Sequence, residues 1–75
     1  MDDLKIFIQN EIMELAFVKV QFGDSLIKSG VLSSILVVDL IVAIEGKIGK
    51  TIPQYLIREE HFDSIDLIVE TLKKF

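Results

Sequence analysis

Two adjacent serines, Ser33 and Ser34, have the position in this sequence that best fits a chemical role. They follow a glycine-containing loop and come just before an apolar run that extends to Ile44. This pattern predicts a loop that brings a hydroxyl to the first turn of a helix. Backbone N–H groups lack helical partners there, and the helix dipole favours negative charge, so a phosphate ester would be stabilised. Spacing alone favours the simpler of two interpretations, a plain N-terminal cap, over a covalently modified serine.

Other residue types that support catalysis do not form a recognisable set. A nucleophilic serine needs a base and a group that orients the base. The single histidine, His61, is the only candidate base, and it stands beside two glutamates as a solvated surface residue commonly does. Metal sites need clustered ligands, and the sequence shows no such spacing. Gly46 and Gly49 fit a helix end rather than a phosphate-binding loop. We therefore expect that the protein is not an enzyme.

Size and charge narrow the class of protein further. A chain of 75 residues, of which 51% are apolar, is enough for one helical core and predicts a single domain spanning residues 1–75. Eight basic and twelve acidic residues give a net charge of −4, which argues against binding to nucleic acid. Because there is no cysteine, disulfides, thiolate metal sites and cysteine nucleophiles are excluded.

Hydropathy gives no sign of a membrane segment. The longest apolar run, Ile35 to Ile44, is broken by Asp39 and is far shorter than the roughly 20 residues that span a bilayer. The acidic start of the chain lacks the basic residues of a signal peptide. We expect a cytoplasmic, monomeric protein that does not insert into membranes.

Apolar periodicity predicts the elements that would position the serines. A first helix is expected from Asp3 to Phe17, with Asp2 and Asp3 at its start and with Ile6 and Met13 off its buried face. A long loop follows from Val18 to Ser33. Such a loop must pack or function in so small a domain. The residues expected to hold it to the core are Phe22, Leu26, Val31 and Leu32.

A second helix is expected from Ser34 to about Ile48, with Gly49 as its C-terminal cap. A strand from Ile35 to Val42 is the competing prediction, because the segment is rich in β-branched residues. As a helix it has an inner strip of Leu40, Ile41, Ile44 and Ile48. Its outward positions are Ser34, Val38, Asp39, Val42, Glu45 and, at the edge, Ile35.

The remainder predicts a short helix or turn and a final helix. The connector Thr51-Ile52-Pro53 should be extended, and Gln54 to His61 has room for one short element, anchored by Tyr55, Leu56 and Ile57. Asp63 or Ser64 should cap the last helix. Its buried stripe is Ile65, Ile68, Leu72 and Phe75, with Val69 at the edge. The predicted fold class is therefore all-α, a four-helix bundle with three longer helices and one short helix.

Several segments, in order along nearly the whole chain, resemble the acyl carrier and peptidyl carrier proteins. The loop entry Asp24-Ser25-Leu26 and the stretch Gly30-Val31-Leu32-Ser33-Ser34-Ile35 match the family's attachment region. The pairs Ile44-Glu45 and Ile52-Pro53 match its second helix and connector, and residues 56–65 match its approach to the last helix. The spacing after Ile52 is closer to freestanding D-alanyl and specialised carriers than to the housekeeping fatty-acid carrier.

The resemblance implies an acyl-carrier-like bundle that carries 4′-phosphopantetheine, donated by coenzyme A, on Ser34. The arm would hold an acyl or aminoacyl group as a thioester and would supply the thiol that this chain lacks. Implied partners are a phosphopantetheinyl transferase and an acyl- or aminoacyl-activating ligase, an acyltransferase or a synthase. The surface expected to dock them contains Ile35, Asp39, Val42 and Glu45.

One departure from the family pattern concerns Ser33, which stands where the family usually has an aspartate that the modifying transferase reads. A serine can still cap the helix, so the fold is expected to tolerate the change. Two alternative functions therefore stay open. One is an interaction module with the carrier fold that is not modified, and the other is a small helical bundle that self-associates.

Overall fold

Four α-helices make up the regular structure of residues 2–74, the residues that the structure, a computed structural model, describes. There is no strand in this range, so the strand alternative for Ile35 to Val42 is wrong and the all-α prediction is confirmed. None of these helices is both long and apolar enough to cross a membrane. The helices are α1 (Asp2–Ala16), α2 (Ser34–Ile48), α3 (Glu59–Phe62) and α4 (Ile65–Leu72), and a 3₁₀ turn lies at Gln54–Leu56.

Helix α2 has the predicted bounds, and both of its ends have a local cause. The Ser33 hydroxyl accepts a hydrogen bond from the Leu36 amide at 3.4 Å and so caps the first turn. Gly49 has φ of 72°, a left-handed conformation that favours glycine, and its amide donates to the Glu45 carbonyl at 2.9 Å. Burial of one face of α2 outweighs the weaker helix propensity of its valines and isoleucines. Of the predicted inner strip, Leu40, Ile41 and Ile44 are buried and Ile48 is half-buried.

Helix α1 packs on α2 and α4. Ile8 and Ile12 are completely buried, while Ile6 and Met13 are exposed as predicted. The helix ends at Ala16, one residue before the predicted end, because Phe17 adopts φ of 60°. The predicted cap at Asp2 and the buried place of Phe75 concern side chains outside those that the structure describes.

The loop between α1 and α2 is held to the core by side chains and by hydrogen bonds. Leu26 and Leu32 are buried, and Phe22 and Val31 are half-buried, which confirms the predicted anchors. Val20 is a further buried anchor that the sequence did not indicate. The Gln9 side-chain amide donates to the Val20 carbonyl at 2.6 Å, and the Asp66 amide donates to the Phe22 carbonyl at 3.0 Å. The loop is thereby tied to both α1 and α4.

The segment between α2 and α4 contains two short elements where one was expected. The 3₁₀ turn comes first and α3, only four residues long, comes second. Leu56 is buried as predicted, but Tyr55 is 68% exposed, so its predicted role as an anchor is wrong. Ser64, and not Asp63, caps α4 by accepting from the Leu67 amide at 3.1 Å.

One cluster of buried side chains from every helix and from the loops forms the core. Phe62 of α3 and Ile65 and Ile68 of α4 are almost fully buried, and Val69, predicted at the edge, is buried too. Thr71 is buried and satisfies its hydroxyl by donating to the Leu67 carbonyl at 2.9 Å. The buried apolar residues are Ile8, Ile12, Val20, Leu26, Leu32, Leu40, Ile41, Ile44, Ile52, Leu56, Phe62, Ile65, Ile68 and Val69.

Candidate functional site

Ser34 is the first residue of α2, and its side chain is exposed. Ser33 performs the capping, and the Ser34 hydroxyl takes no part in it. Among the described groups, which include the side chains of residues 3–74, none forms a hydrogen bond with the Ser34 hydroxyl. The hydroxyl that the sequence indicated for modification is therefore accessible and is not used by the fold.

The N-terminus of α2 is electrostatically suited to a negative group. All residues of its first turn are described, and none of them is acidic. The partial positive charge of the helix dipole is therefore not offset by a side chain of that turn. Backbone N–H groups at such a terminus bind phosphate readily. A phosphate ester on Ser34 would lie where this end of the helix stabilises it.

A groove of about 360 Å³ opens beside Ser34. Val37 and Val38 of α2 line one part of it, and α3 and the residues before it contribute Phe62, Ile57 and further groups. The lining is mostly apolar, and its charged members are Arg58 and Glu59; no described lining residue is a histidine. The complete described lining is Ile27, Ser34, Val37, Val38, Ile57, Arg58, Glu59 and Phe62.

The carboxylate of Asp63 holds the loop that leads to Ser34. It accepts hydrogen bonds from the Ser25 hydroxyl at 2.9 and 3.1 Å, from the Ile27 amide at 2.8 Å and from the Lys28 amide at 3.0 Å. The Asp63 carbonyl also accepts from the Leu26 amide at 2.6 Å. The Lys28 amide is the main cause of a lowered pKa for Asp63; the Ile27 amide, the Ser25 hydroxyl and the Lys28 charge add to it, against the opposing effect of desolvation.

Gly30 makes the turn between this anchored part of the loop and Ser33. Its φ of 85° is a left-handed conformation that residues with a side chain rarely adopt. Its amide donates to the Ile27 carbonyl at 3.1 Å, and the Leu32 amide then returns to the Leu26 carbonyl at 2.8 Å. The path of the chain into α2 is thus fixed by backbone contacts as well as by Asp63.

The outer face of α2, which we define as Ile35, Val38, Asp39 and Val42, is exposed next to Ser34. Ile35 is 75% and Val42 62% exposed, so the structure brings these predicted contact residues together on one apolar surface with a single acid, Asp39. Glu45 differs from them. It is half-buried, and its carboxylate accepts from the Ile52 amide at 2.8 Å, so it connects α2 to the following segment.

Two other kinds of site, a metal site and a site with His61 as a base beside Ser34, are not formed among the described residues. Among the side chains that the structure describes, those of residues 3–74, no three His, Cys, Asp or Glu are placed to hold a metal ion. His61 is half-buried in α3, where its carbonyl lies 3.5 Å from the Thr71 hydroxyl, and it does not line the groove at Ser34.

Sequence reasoning missed both the Asp63 anchor and the second wall of the groove. Asp63 precedes a helix, and that position suggested a cap rather than a contact with Ser25, which lies 38 residues earlier. Ile57, Arg58 and Glu59 gave no sign that they lie near Ser34. The order of segments in the family resemblance was the only signal that related these parts of the chain.

Comparison of the chain with protein-family models, with curated proteins and with solved structures finds no significant match in any of the three. The residues of the chain, their geometry and the resemblance of its sequence motifs are therefore the basis for a function.

Proposed function

We propose that the protein is an acyl or aminoacyl carrier that bears 4′-phosphopantetheine on Ser34. The observation that supports this most directly is the exposed Ser34 hydroxyl, at a helix N-terminus without acidic residues and beside an apolar groove. Capping does not account for a serine at position 34, because Ser33 already caps α2.

The attachment step uses Ser34 only as a nucleophile that a partner activates. Its Oγ forms a bond to phosphorus of coenzyme A, and the pyrophosphate bond breaks with adenosine 3′,5′-bisphosphate as the leaving group. The hydroxyl proton goes to a base of the transferase. The N-terminal N–H groups of α2 stabilise the phosphodiester that results.

The residues around Ser34 fit the arm and its cargo. The prosthetic group supplies the thiol on which an acyl group is held as a thioester. Val37, Val38 and Ile57 provide an apolar surface against which an acyl chain loses contact with water. Arg58, at the same groove, provides a positive charge for the phosphodiester or for a carboxylate on the cargo.

The outer face of α2 is the proposed contact surface for the transferase and for the ligase, acyltransferase or synthase. Its position beside Ser34 lets an enzyme bind this surface and receive the arm in its active site. Since it carries three exposed apolar side chains and one acid, we propose that binding depends more on apolar burial than on charge.

Intact mass spectrometry tests the proposal. The protein is incubated with coenzyme A and a broad-specificity phosphopantetheinyl transferase, alongside its Ser33→Ala and Ser34→Ala variants. We expect a mass gain of one phosphopantetheine for the wild type and for Ser33→Ala, and none for Ser34→Ala. No gain on any of the three proteins would overturn the carrier function, and a gain on Ser34→Ala with none on Ser33→Ala would move the site to Ser33.

A fourth protein, Ser33→Asp, separates a carrier from an interaction module with the same fold. Aspartate is an equally good cap and also adds a charge that the helix dipole favours, so the fold is retained. We expect faster modification of this variant together with measurable modification of the wild type. Modification of Ser33→Asp alone would show that the native chain is an unmodified module.

A further inference from the structure

A second exposed apolar surface lies on α1. Ile6 and Met13 are exposed on this helix, and Phe17 follows at its end. A spacing of seven residues places Ile6 and Met13 on one side of the helix, away from the buried Ile8 and Ile12, and Phe17 stands just past the end of the helix, four residues after Met13. We call this side, together with Phe17, the outer face of α1. It does not include Ser34 or the outer face of α2.

Phe17 is costly to the fold in two ways. It has φ of 60°, and it is the only residue other than glycine with a positive φ among residues 2–74. Bulky residues are rare in this conformation, and the equivalent place after α2 is occupied by Gly49. The Phe17 side chain is also 88% exposed, so it gains too little from burial to compensate for the strain of its backbone. Such a conflict indicates a role outside folding.

Charge indicates what kind of partner covers this face. Helix α1 has four acidic residues and one basic residue, Lys5. Lys5 lies on the other side, where its Nζ is 2.9 Å from an Asp66 carboxylate oxygen. The exposed Asp3 and Glu14 lie along one edge of the apolar strip, and the exposed Lys19 lies two residues beyond its end, so the charge beside the strip is acidic on balance. Two copies of this face would bring acids together, which is unfavourable, whereas a basic partner would be complementary.

We propose that the outer face of α1 docks a basic amphipathic helix of another protein, with Phe17 as the main anchor. The strip from Ile6 to Phe17 is about 16 Å long, which matches about three turns of a partner helix. An exposed aromatic at one end and smaller apolar side chains along the strip are typical of helix-against-helix recognition. The proposal does not depend on modification of Ser34, because it concerns a different surface.

The test uses ¹⁵N-labelled protein and a synthetic peptide of leucine and lysine only. Leucine occupies one helical face and lysine the rest, and a scrambled peptide of the same composition is the control. We expect the backbone amide signals of Ile6, Met13 and Phe17 to shift on titration with the amphipathic peptide, and we expect much weaker binding of the scrambled one. Equal binding of both peptides would show attraction by charge alone and would overturn the proposal.

Variants at Phe17 distinguish binding from folding. Phe17→Gly removes the anchor and the strain together, so Tm should rise by about 4 °C while Kd for the peptide increases about tenfold. Phe17→Asn tolerates the left-handed conformation and should weaken binding similarly. Tyr55→Ala removes another exposed aromatic side chain and should leave Kd unchanged.

Two results at Phe17 would overturn the proposal. One is an unchanged Kd for Phe17→Gly, and the other is an equal loss of affinity for Tyr55→Ala. Sedimentation of the protein without peptide would also overturn it if it showed a dimer that Phe17→Gly dissociates, because the occupant of the face would then be a second copy of this chain.

Discussion

At the scale of single residues, Asp63 has an influence that extends well beyond its own helix junction. Its carboxylate accepts from two backbone amides and one hydroxyl of the loop at residues 25–28, and that loop leads into the N-terminus of α2. The position of Ser34 therefore depends on a side chain that does not contact it. These bonds favour the ionised carboxylate, which is why the pKa of Asp63 is lowered, first by the Lys28 amide.

We predict that Asp63 makes stability depend on pH in the acidic range. The pKa of Asp63 is lower in the folded protein than in the unfolded chain. The contribution of its ionised carboxylate to the free energy of unfolding is therefore complete above the pKa of an unfolded aspartate, about 3.9, and is lost as pH falls through the pKa of the folded protein. Asp63→Asn should therefore destabilise the protein at neutral pH, and the difference from the wild type should shrink below about pH 4. Urea unfolding at about pH 7 and pH 3 measures this.

The matched control for Asp63 is Glu14→Gln, which removes an exposed carboxylate from α1. It should change stability much less at neutral pH, within about 0.5 kcal/mol. A difference between Asp63→Asn and the wild type that stayed constant from neutral to acidic pH would contradict the lowered pKa. The loss of stability in Asp63→Asn would then be due to the altered hydrogen bonds at this side chain and not to its charge.

At the scale of the elements, Glu45 joins α2 to the segment that forms the second wall of the groove. Its carboxylate accepts from the Ile52 amide at 2.8 Å, and Ile52 is buried in the core. This bond fixes the chain where it leaves α2 and before it turns into the 3₁₀ element. The shape of the groove near Ser34 thus depends on a contact at the opposite end of the same helix.

We predict that Glu45→Ala destabilises the protein by about 1 kcal/mol, since it leaves the Ile52 amide without its partner. Glu45→Gln keeps an acceptor oxygen and should cost less than Glu45→Ala. Asp39→Ala removes an exposed acid from the same helix and should change the free energy of unfolding by less than about 0.5 kcal/mol. Chemical denaturation of the three variants gives the order, and equal losses for Glu45→Ala and Asp39→Ala would contradict the role of the contact.

How far the elements could be predicted depended on their length. The repeating apolar positions of α1 and α2 extend over 15 residues each, and they located both helices and most of their buried faces. Helix α3 has four residues, too few for a period to show, and the exposure of Tyr55 followed from the way the 3₁₀ turn packs. Local patterns also predicted a serine cap at the start of α2 and an outward position for Ser34, but only the family resemblance assigned the cap to Ser33. They could not identify partners that are distant in sequence, as with Asp63 and Ser25.

At the scale of the whole molecule, the acidic charge is spread unevenly over two exposed apolar surfaces. The net charge is −4, and α1 has four acids and one base, whereas α2 has two acids, Asp39 and Glu45, and one base, Lys47. Partners that bind the two helices should therefore respond differently to salt. Contacts at α1 should weaken as ionic strength rises, and contacts at α2 should change little because apolar burial is screened only weakly.

We predict that Val42→Lys weakens the interaction at α2 without affecting the fold. Val42 is 62% exposed, so the free energy of unfolding should change by less than about 0.5 kcal/mol. With a phosphopantetheinyl transferase as the partner, kcat/KM for modification of Ser34 should fall about tenfold, since a charge would have to be desolvated in an apolar contact. Steady-state kinetics at about 50 and 200 mM salt should show little dependence for the wild type.

Asp39→Asn is the matched variant on the same face, and it should leave kcat/KM within about twofold if apolar burial dominates. A strong loss for Asp39→Asn with steep salt dependence would instead assign the interaction to charge. If Val42→Lys left both stability and modification unchanged, the outer face of α2 would not be the contact surface. The exposure of Ile35, Val38 and Val42 would then need a different partner to explain it.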